Sequence, residues 1–370
     1  MNPPRKMGKR VIVAAFGETP TDAIRECMAL DDMESPDPAR LAPNEVAIEI
    51  KSAAVAWVDL LMTSGQYKHM PAPPYCPGME YSGVVIATGS AAADFATGDR
   101  VFADFMIAGP RSGGAYQAAG GYASFAVLPA TALRRIPPGY SFDEASNLLG
   151  NYETAWHCLI ARGQLRAGET VLINGASGAS GLAAVQVAKL LGANVIATGR
   201  SDDKLAVVKA QGADHVVNAG DGAGGVRRFR DEVKALTSGR GVDMVFDAVG
   251  GATSLECLRC TAFGARFLIV GWTSTPFVAK GRGQRGSPNA NQLPTNIIQM
   301  KGLSVLGCPA VISVVQDPTI RPPRVAQVMQ WAAEGRIRPH ISHKFALADY
   351  KAAMLARWNG EVCGGCVLNP

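Results

Sequence analysis

The chain has 370 residues, 48% hydrophobic and 18% charged, with a formal charge of +5 from 36 Lys and Arg against 31 Asp and Glu. That length exceeds one small core and points to two domains of about 100–200 residues each, and the apolar content excludes disorder as the main state. The charge excess is too slight for a polyanion binder of the histone or basic-tail kind, and 8 Cys in a chain this long do not make a disulfide scaffold.

The basic start runs straight into Val11-Ile12-Val13-Ala14-Ala15, too short an apolar stretch for the core of a secretion signal. An uncharged stretch in the middle, 170–188, is broken by Asn174, Gly175, Ser177, Gly178, Ser180 and Gly181 and is not read as a membrane span. A soluble, cytoplasmic protein is expected. Glu45-Val46-Ala47-Ile48-Glu49-Ile50 alternates polar and apolar residues as a half-buried strand does, and 81–88, 99–103 and 121–128 follow between Gly- and Asp-containing turns. Strands at this spacing, with few helical patterns, suggest an antiparallel, barrel-like unit.

Near residue 142 the pattern changes. Residues 142–162 are rich in Ala, Leu and Glu at helical spacing, and strand and helix then alternate. Strands are predicted at 170–173, 194–198, 215–217, 242–247 and 266–270, with helices at 182–191, 201–211, 229–237 and 253–261. Such alternation reads as a parallel sheet covered by helices on both faces. After residue 300 short strands return, with one helix at 323–334 and a last strand at 365–368. The expected plan is an α/β, Rossmann-type doubly wound domain, 146–300, inserted in a β-rich barrel domain made of 1–145 and 301–370.

Gly175-Ala176-Ser177-Gly178-Ala179-Ser180-Gly181 lies between the first of these strands and an apolar helix. Small residues there let the backbone approach a pyrophosphate, whose charge meets free N–H groups at the helix N-terminus. A glycine pattern alone is a weak signal; the strand–turn–helix setting makes it a dinucleotide site in preference to a tight turn. The end of the next strand chooses the cofactor. NAD-binding units place Asp or Glu there, about 20 residues after the turn, to accept the ribose hydroxyls. Here the chain reads Ala197-Thr198-Gly199-Arg200-Ser201, with Lys204 a turn further on and no acid before Asp202. Arg200, Ser201 and Lys204 suit a 2′-phosphate, so NADP(H) is expected; Asp202 and Asp203 argue the other way.

The run Val171-Leu172-Ile173-Asn174-Gly175-Ala176-Ser177-Gly178-Ala179-Ser180-Gly181 resembles the cofactor turn of the medium-chain dehydrogenase/reductase superfamily, and more closely its zinc-free, quinone oxidoreductase-like branch. Gly65-Gln66-Tyr67, Pro77-Gly78-Met79-Glu80-Tyr81-Ser82-Gly83, Gly98-Asp99-Arg100-Val101, Asn151-Tyr152-Glu153-Thr154-Ala155 and Asp247-Ala248-Val249-Gly250-Gly251 extend the likeness in order along most of the chain. The resemblance implies a GroES-like fold for the barrel domain. It also implies roles: Gly175, Ala176, Ser177, Gly178, Ala179, Ser180 and Gly181 at the pyrophosphate, with Gly199, Arg200, Ser201 and Lys204 at the adenosine phosphate. Thr154, Val249, Gly271, Trp272 and Thr273 would line the nicotinamide and its ribose, with Tyr67 and Tyr152 beside it at the substrate cleft. A homodimer is implied too, paired through the strand at 303–307, whose exposed apolar edge would otherwise invite aggregation.

Zinc alcohol dehydrogenases of this superfamily bind their catalytic metal through a Cys, a Gly-His-Glu triplet and a later Cys or Asp. This chain reads Val58-Asp59-Leu60 and Gly78-Met79-Glu80 in those places, and Met cannot replace an imidazole. Cys257/Cys260 and Cys363/Cys366 have C-x-x-C spacing but fall in different domains; small buried side chains are the preferred reading, with a redox role for the second pair as the alternative. No metal is expected. Without a Lewis acid, alcohol oxidation is disfavoured. The leading reading is hydride transfer from NADPH to a small electron-poor acceptor, a quinone or an α,β-unsaturated carbonyl. Tyr67 or Tyr152 would hydrogen-bond its oxygen as charge develops, or would only shape the cleft. Where relatives often have Asn before an aromatic residue and Asp, this chain reads Val55-Ala56-Trp57-Val58-Asp59; the missing amide removes one hydrogen-bonding group from the cleft, and Trp57 is expected to narrow the pocket. His69 and His157 are read as surface or core residues.

The charge excess is concentrated. Residues 257–316 hold Arg259, Arg266, Lys280, Arg282, Arg285 and Lys301 and no acid, leaving the rest close to neutral. The loop 280–291 inside this stretch either attracts a negatively charged acceptor or is simply solvated. The first reading motivates a rival activity, an enoyl-CoA or enoyl-thioester reductase. An NADPH-binding regulatory or structural protein is a third. Neither nucleic acid nor membrane is expected as a partner.

Overall fold

The computed structural model describes residues 5–67, 70–274 and 291–370. They form two units, one of residues 5–149 and His340–Pro370, the other of 150–274 and 291–339.

The first unit opens with β1 (Met7–Val13) and β2 (Met28–Glu34), an antiparallel pair. There follow β3 (Glu45–Ala54), β4 (Tyr81–Thr88), β5 (Arg100–Ala103), β6 (Phe125–Pro129) and β7 (Leu133–Arg135). Val46, Ile48 and Ile50 of β3 are buried, as their alternation predicts. Ala47 between them is buried as well, so both faces of β3 are covered here, and β3 pairs with β4 on one side and β6 on the other.

The second unit contains β8 (Thr170–Asn174), β9 (Asn194–Gly199), β10 (His215–Asn218), β11 (Val242–Asp247), β12 (Thr261–Ile269) and β13 (Ser304–Gly307). All pairs are parallel and the sheet order is β10-β9-β8-β11-β12-β13. Counted along the chain this is 3-2-1-4-5-6, the Rossmann order, and its crevice opens where the order reverses, between β8 and β11. Every residue of β8 is buried, as expected of a central parallel strand covered on both faces. Leu172, Val245 and Phe267 from three adjacent strands lie in one core.

The chain then returns to the first unit with β14 (Ile341–Ala346) and β15 (Gly365–Asn369), completing the order β14-β15-β3-β4-β5-β7. The return comes later than residue 301. β13 bonds to β12 in register, Arg266 opposite Ser304, and the helix Arg321–Ala333 belongs to the same unit. A short strand after a helix carries no mark of which sheet it will join, so composition placed this boundary too early. Among the described residues no helix is long and apolar enough to cross a membrane.

Candidate functional site

The glycine turn sits where β8 ends. Gly175 has φ +76°, and a Cβ built on it would lie 2.7 Å from a Val249 methyl. The following helix starts at Ala179, three residues earlier than its apolar pattern suggests, so Ala179, Ser180 and Gly181 form its first turn. Gly181 is the close-contact position: its Cβ would lie 2.3 Å from the Gly175 carbonyl oxygen. First-turn N–H groups have no intrahelical acceptor, and the positive end of the helix dipole adds to them. Together these fit a bound diphosphate. The Ala176 N–H donates to the Thr198 carbonyl at 3.0 Å, fixing the turn to β9. The Ser180 hydroxyl donates to Asn151 at 2.9 Å, so this side chain ties two helices together while its N–H stays in the first turn.

Gly199 ends β9, and Arg200 next to it is exposed, with no carboxylate among the described residues paired to it. Ser201 caps the helix Asp202–Ala210 without using its hydroxyl, and Lys204 is half-buried one turn on. The Asp202 carboxylate accepts a 2.7 Å hydrogen bond from the Asn218 amide at the end of β10. One of the two acids that argue against a 2′-phosphate is therefore held by a neighbouring strand, while Asp203 beside it is exposed.

At the other end, Val249, Gly271, Trp272 and Thr273 come together over the ends of β11 and β12. Gly271 N–H donates to the Asp247 carbonyl at 3.2 Å, and the Thr273 hydroxyl to the Ala248 carbonyl at 3.2 Å. The Trp272 side chain is 45% exposed. The Thr154 hydroxyl donates to the Gly150 carbonyl at 2.7 Å, back into its own helix. Beneath these residues lies a buried network that sequence reading missed. Thr198 donates to Asn174 Oδ1 at 2.9 Å, and Asn174 Nδ2 donates to Asp247 Oδ1 at 2.8 Å. Asp247 Oδ1 also accepts the N–H groups of Val249 at 3.1 Å and Gly250 at 3.2 Å, and its other oxygen accepts from the Ser254 hydroxyl. The signal was present: Asn174 follows the apolar run Val171-Leu172-Ile173 and Asp247 the run Met244-Val245-Phe246, and a buried polar group needs partners.

The two tyrosines differ. Tyr152 is buried, and its hydroxyl donates at 2.7 Å to Gln186 Oε1, which also accepts the Arg338 N–H at 2.9 Å. Its proton is thus bound into the scaffold of the second unit, which leaves this ring to the reading in which it only shapes the cleft. Tyr67, in the first unit, is half-buried; its phenol oxygen accepts from Arg111, whose guanidinium carbon lies 5.1 Å from the ring centroid. Trp57 stacks on Trp358 with centroids 5.1 Å apart and planes 1° from parallel, so its ring is accounted for by packing.

Asp59 is buried with its carboxylate accepting the N–H groups of Ala56 at 3.0 Å and Met79 at 3.1 Å. Burial pushes its carboxyl up to about 7, against these N–H bonds and the Arg111 charge, which pull it down. Among the described residues no group of three or more His, Cys, Asp or Glu side chains is arranged to hold a metal ion. Cys257, Cys260, Cys363 and Cys366 are buried free thiols. His157 is buried, and burial followed by the charges of Arg324 and Arg162 pushes its imidazole down to about 4. The basic stretch is half structural. Arg259 pairs with Glu256, Arg266 with Glu169 at 2.5 Å, and Lys301 donates to the carbonyls of Arg259 and Thr261 at 2.9 Å. His69, Lys280, Arg282 and Arg285 lie outside the described residues.

Residues 42–138 match the family described as alcohol dehydrogenase GroES-like domain, and 179–319 the one described as zinc-binding dehydrogenase. A quinone oxidoreductase-like protein 2 homolog of Nematostella vectensis is 31% identical over 331 residues, spanning 89% of this chain and 82% of that protein. The mouse quinone oxidoreductase-like protein 2 is also 31% identical, over 90% of this chain and 87% of its own length. Among solved structures, the quinone oxidoreductase of Pseudomonas syringae pv. Tomato DC3000 aligns with TM-score 0.75 at 25% identity, covering 98% of this chain and 100% of that one.

Proposed function

Because the chain belongs to the quinone oxidoreductase-like branch of the medium-chain dehydrogenase/reductase superfamily, and is an oxidoreductase built for a nicotinamide cofactor, we propose that it transfers hydride from NADPH to a quinone or α,β-unsaturated carbonyl without zinc. The observation that carries the choice of NADPH is Arg200: exposed, unpaired among the described residues, at the end of β9, with Asp202 hydrogen-bonded to Asn218. When bound, NADPH supplies the hydride. Ser177, Ala179, Ser180 and Gly181 would receive the diphosphate on backbone N–H groups, with the Gly178 N–H bonded to the Gly175 carbonyl; Arg200, Ser201 and Lys204 would receive the 2′-phosphate. Val249, Gly271, Trp272 and Thr273 would line the nicotinamide end, and Tyr67 would donate its phenol proton to the acceptor oxygen as negative charge develops there.

Replacing Arg200 by Ala tests the cofactor assignment. A charge-assisted contact is worth about 1.5–3 kcal/mol, so kcat/KM for NADPH should fall roughly 10–150-fold, while NADH use stays nearly unchanged. Equal loss with both cofactors, or none with either, would remove the assignment. The acceptor class is tested by a screen of quinones, cyclic enones and crotonyl-CoA. The enoyl-thioester reading drew on the basic stretch, and three of its six cations are bonded inside the protein; thioester turnover far above the others would restore it.

A further inference from the structure

Arg111 lies against the rings of Tyr67 and Phe105, and its charge acts on Asp59 without forming an ion pair. Among the described residues no carboxylate is paired with its guanidinium, and its Nε is buried without an acceptor. Leaving such a donor unsatisfied costs on the order of 1–3 kcal/mol. Yet the side chain is held firmly. The loop that bears it begins at Asp104, a buried carboxylate that accepts from Arg134 at 2.9 Å and from the Met106 N–H at 3.1 Å. The loop turns at Gly109, whose carbonyl accepts the Ser112 hydroxyl at 2.7 Å. The Arg111 guanidinium also lies over the Phe105 ring, 5.7 Å from its centroid. One N–H of this fixed cation points at the phenol oxygen of Tyr67. Nearby, Gln66 Oε1 is likewise buried without a donor.

A phenol oxygen that accepts from a guanidinium keeps its own O–H free to donate, and no described residue takes that proton. Tyr152 is the contrast, its proton already given to Gln186. We infer that Arg111 is a positioning residue for Tyr67: it aims the phenol O–H and balances the charge left on the oxygen when that proton departs. The inference rests on the reading above that Tyr67 donates to the acceptor. A bound reduced nicotinamide would supply hydride, a proton with two electrons, to an acceptor atom, and the acceptor oxygen would be left anionic. The Tyr67 O–H bond breaks as an O–H bond forms on that oxygen. The phenolate, hydrogen-bonded to Arg111, then takes a proton from water. Such a site is where a fold accepts a local loss of stability, because the unsatisfied group serves chemistry.

The test compares Arg111→Ala, Arg111→Lys, Tyr67→Phe and the Arg111→Ala/Tyr67→Phe double variant with NADPH and a quinone or enone. Arg111→Ala should lower kcat by about 10–100-fold, toward the general-acid contribution lost in Tyr67→Phe, with NADPH binding unchanged and the thermal midpoint equal or higher, since the unsatisfied Nε goes with the side chain. Arg111→Lys should recover part of the rate, since it restores the charge without the planar fork. The double variant should be no slower than Tyr67→Phe alone, because the arginine acts through the phenol. Should the Ala variant not fold, Arg111→Gln, which keeps a donor without charge, is read in its place. Losses that multiply in the double variant, or an intact kcat in Arg111→Ala beside a slow Tyr67→Phe, would overturn the inference alone. An intact kcat in Tyr67→Phe would overturn both it and the donor reading on which it stands.

Discussion

Gly181 offers the sharpest perturbation of the nucleotide unit. In Gly181→Ala the new methyl carbon would lie 2.3 Å from the Gly175 carbonyl oxygen, 2.7 Å from Ala176 Cα and 2.9 Å from the Ala176 carbonyl carbon. All three atoms are backbone, so no side chain can rotate away, and the helix must retreat from the turn by about 1 Å to reach ordinary contact. Overpacking of this kind costs about 1–3 kcal/mol, which lowers the midpoint of a unit this size by roughly 2–10 °C. The same retreat carries the first-turn N–H groups out of the 2.7–3.2 Å range of a hydrogen bond. Each charge-assisted bond lost weakens binding by about 1.5–3 kcal/mol, or roughly 10–150-fold. Thermal unfolding without cofactor and a fluorescence titration with NADPH read the two effects separately. Gly178→Ala is the control, since its methyl would approach nothing nearer than 3.4 Å and should leave the midpoint where it is. A Gly181→Ala protein with unchanged midpoint and unchanged NADPH affinity would refute the account of this turn.

Asp59 makes stability fall with rising pH. Its folded carboxyl titrates near 7, above the ordinary value of about 3.9, so folding takes up a proton between these values. The resulting stabilisation is complete below about 4 and is lost as pH rises through about 7, on the order of 4 kcal/mol at most. Asp59→Asn should flatten this window; an equally steep melting profile from pH 4 to 8 in the variant would refute it. The edge strand β13, with Met300 and Phe263 exposed beside it, supports pairing with a second copy of the chain. A native mass equal to two chains is expected, reduced to one by Val305→Pro, which removes an N–H directed away from β12, since the Cys308 N–H bonds to Ile269 of β12 and the direction alternates along the strand; a monomeric parent protein would rule this out.

Strand β8, the glycine turn and the helix after it were legible because each depends on near neighbours in sequence: an apolar run, small residues, then apolar residues at helical spacing. Arg200 was legible for the same reason, lying a fixed distance along the chain from the turn. The sequence alone also showed where the catalytic-zinc motif has Met79 in place of a histidine. It could not show that Asp202 turns to Asn218, that Tyr152 gives its proton to Gln186, or that Arg111 meets Tyr67 across 44 positions of chain. Nor could it tell that β13 extends the parallel sheet. Those facts are pairings between segments far apart in the chain, fixed by packing and by the need of buried polar atoms for partners. Local pattern determined the elements and the cofactor turn; the tertiary structure decided which polar groups remain free to act.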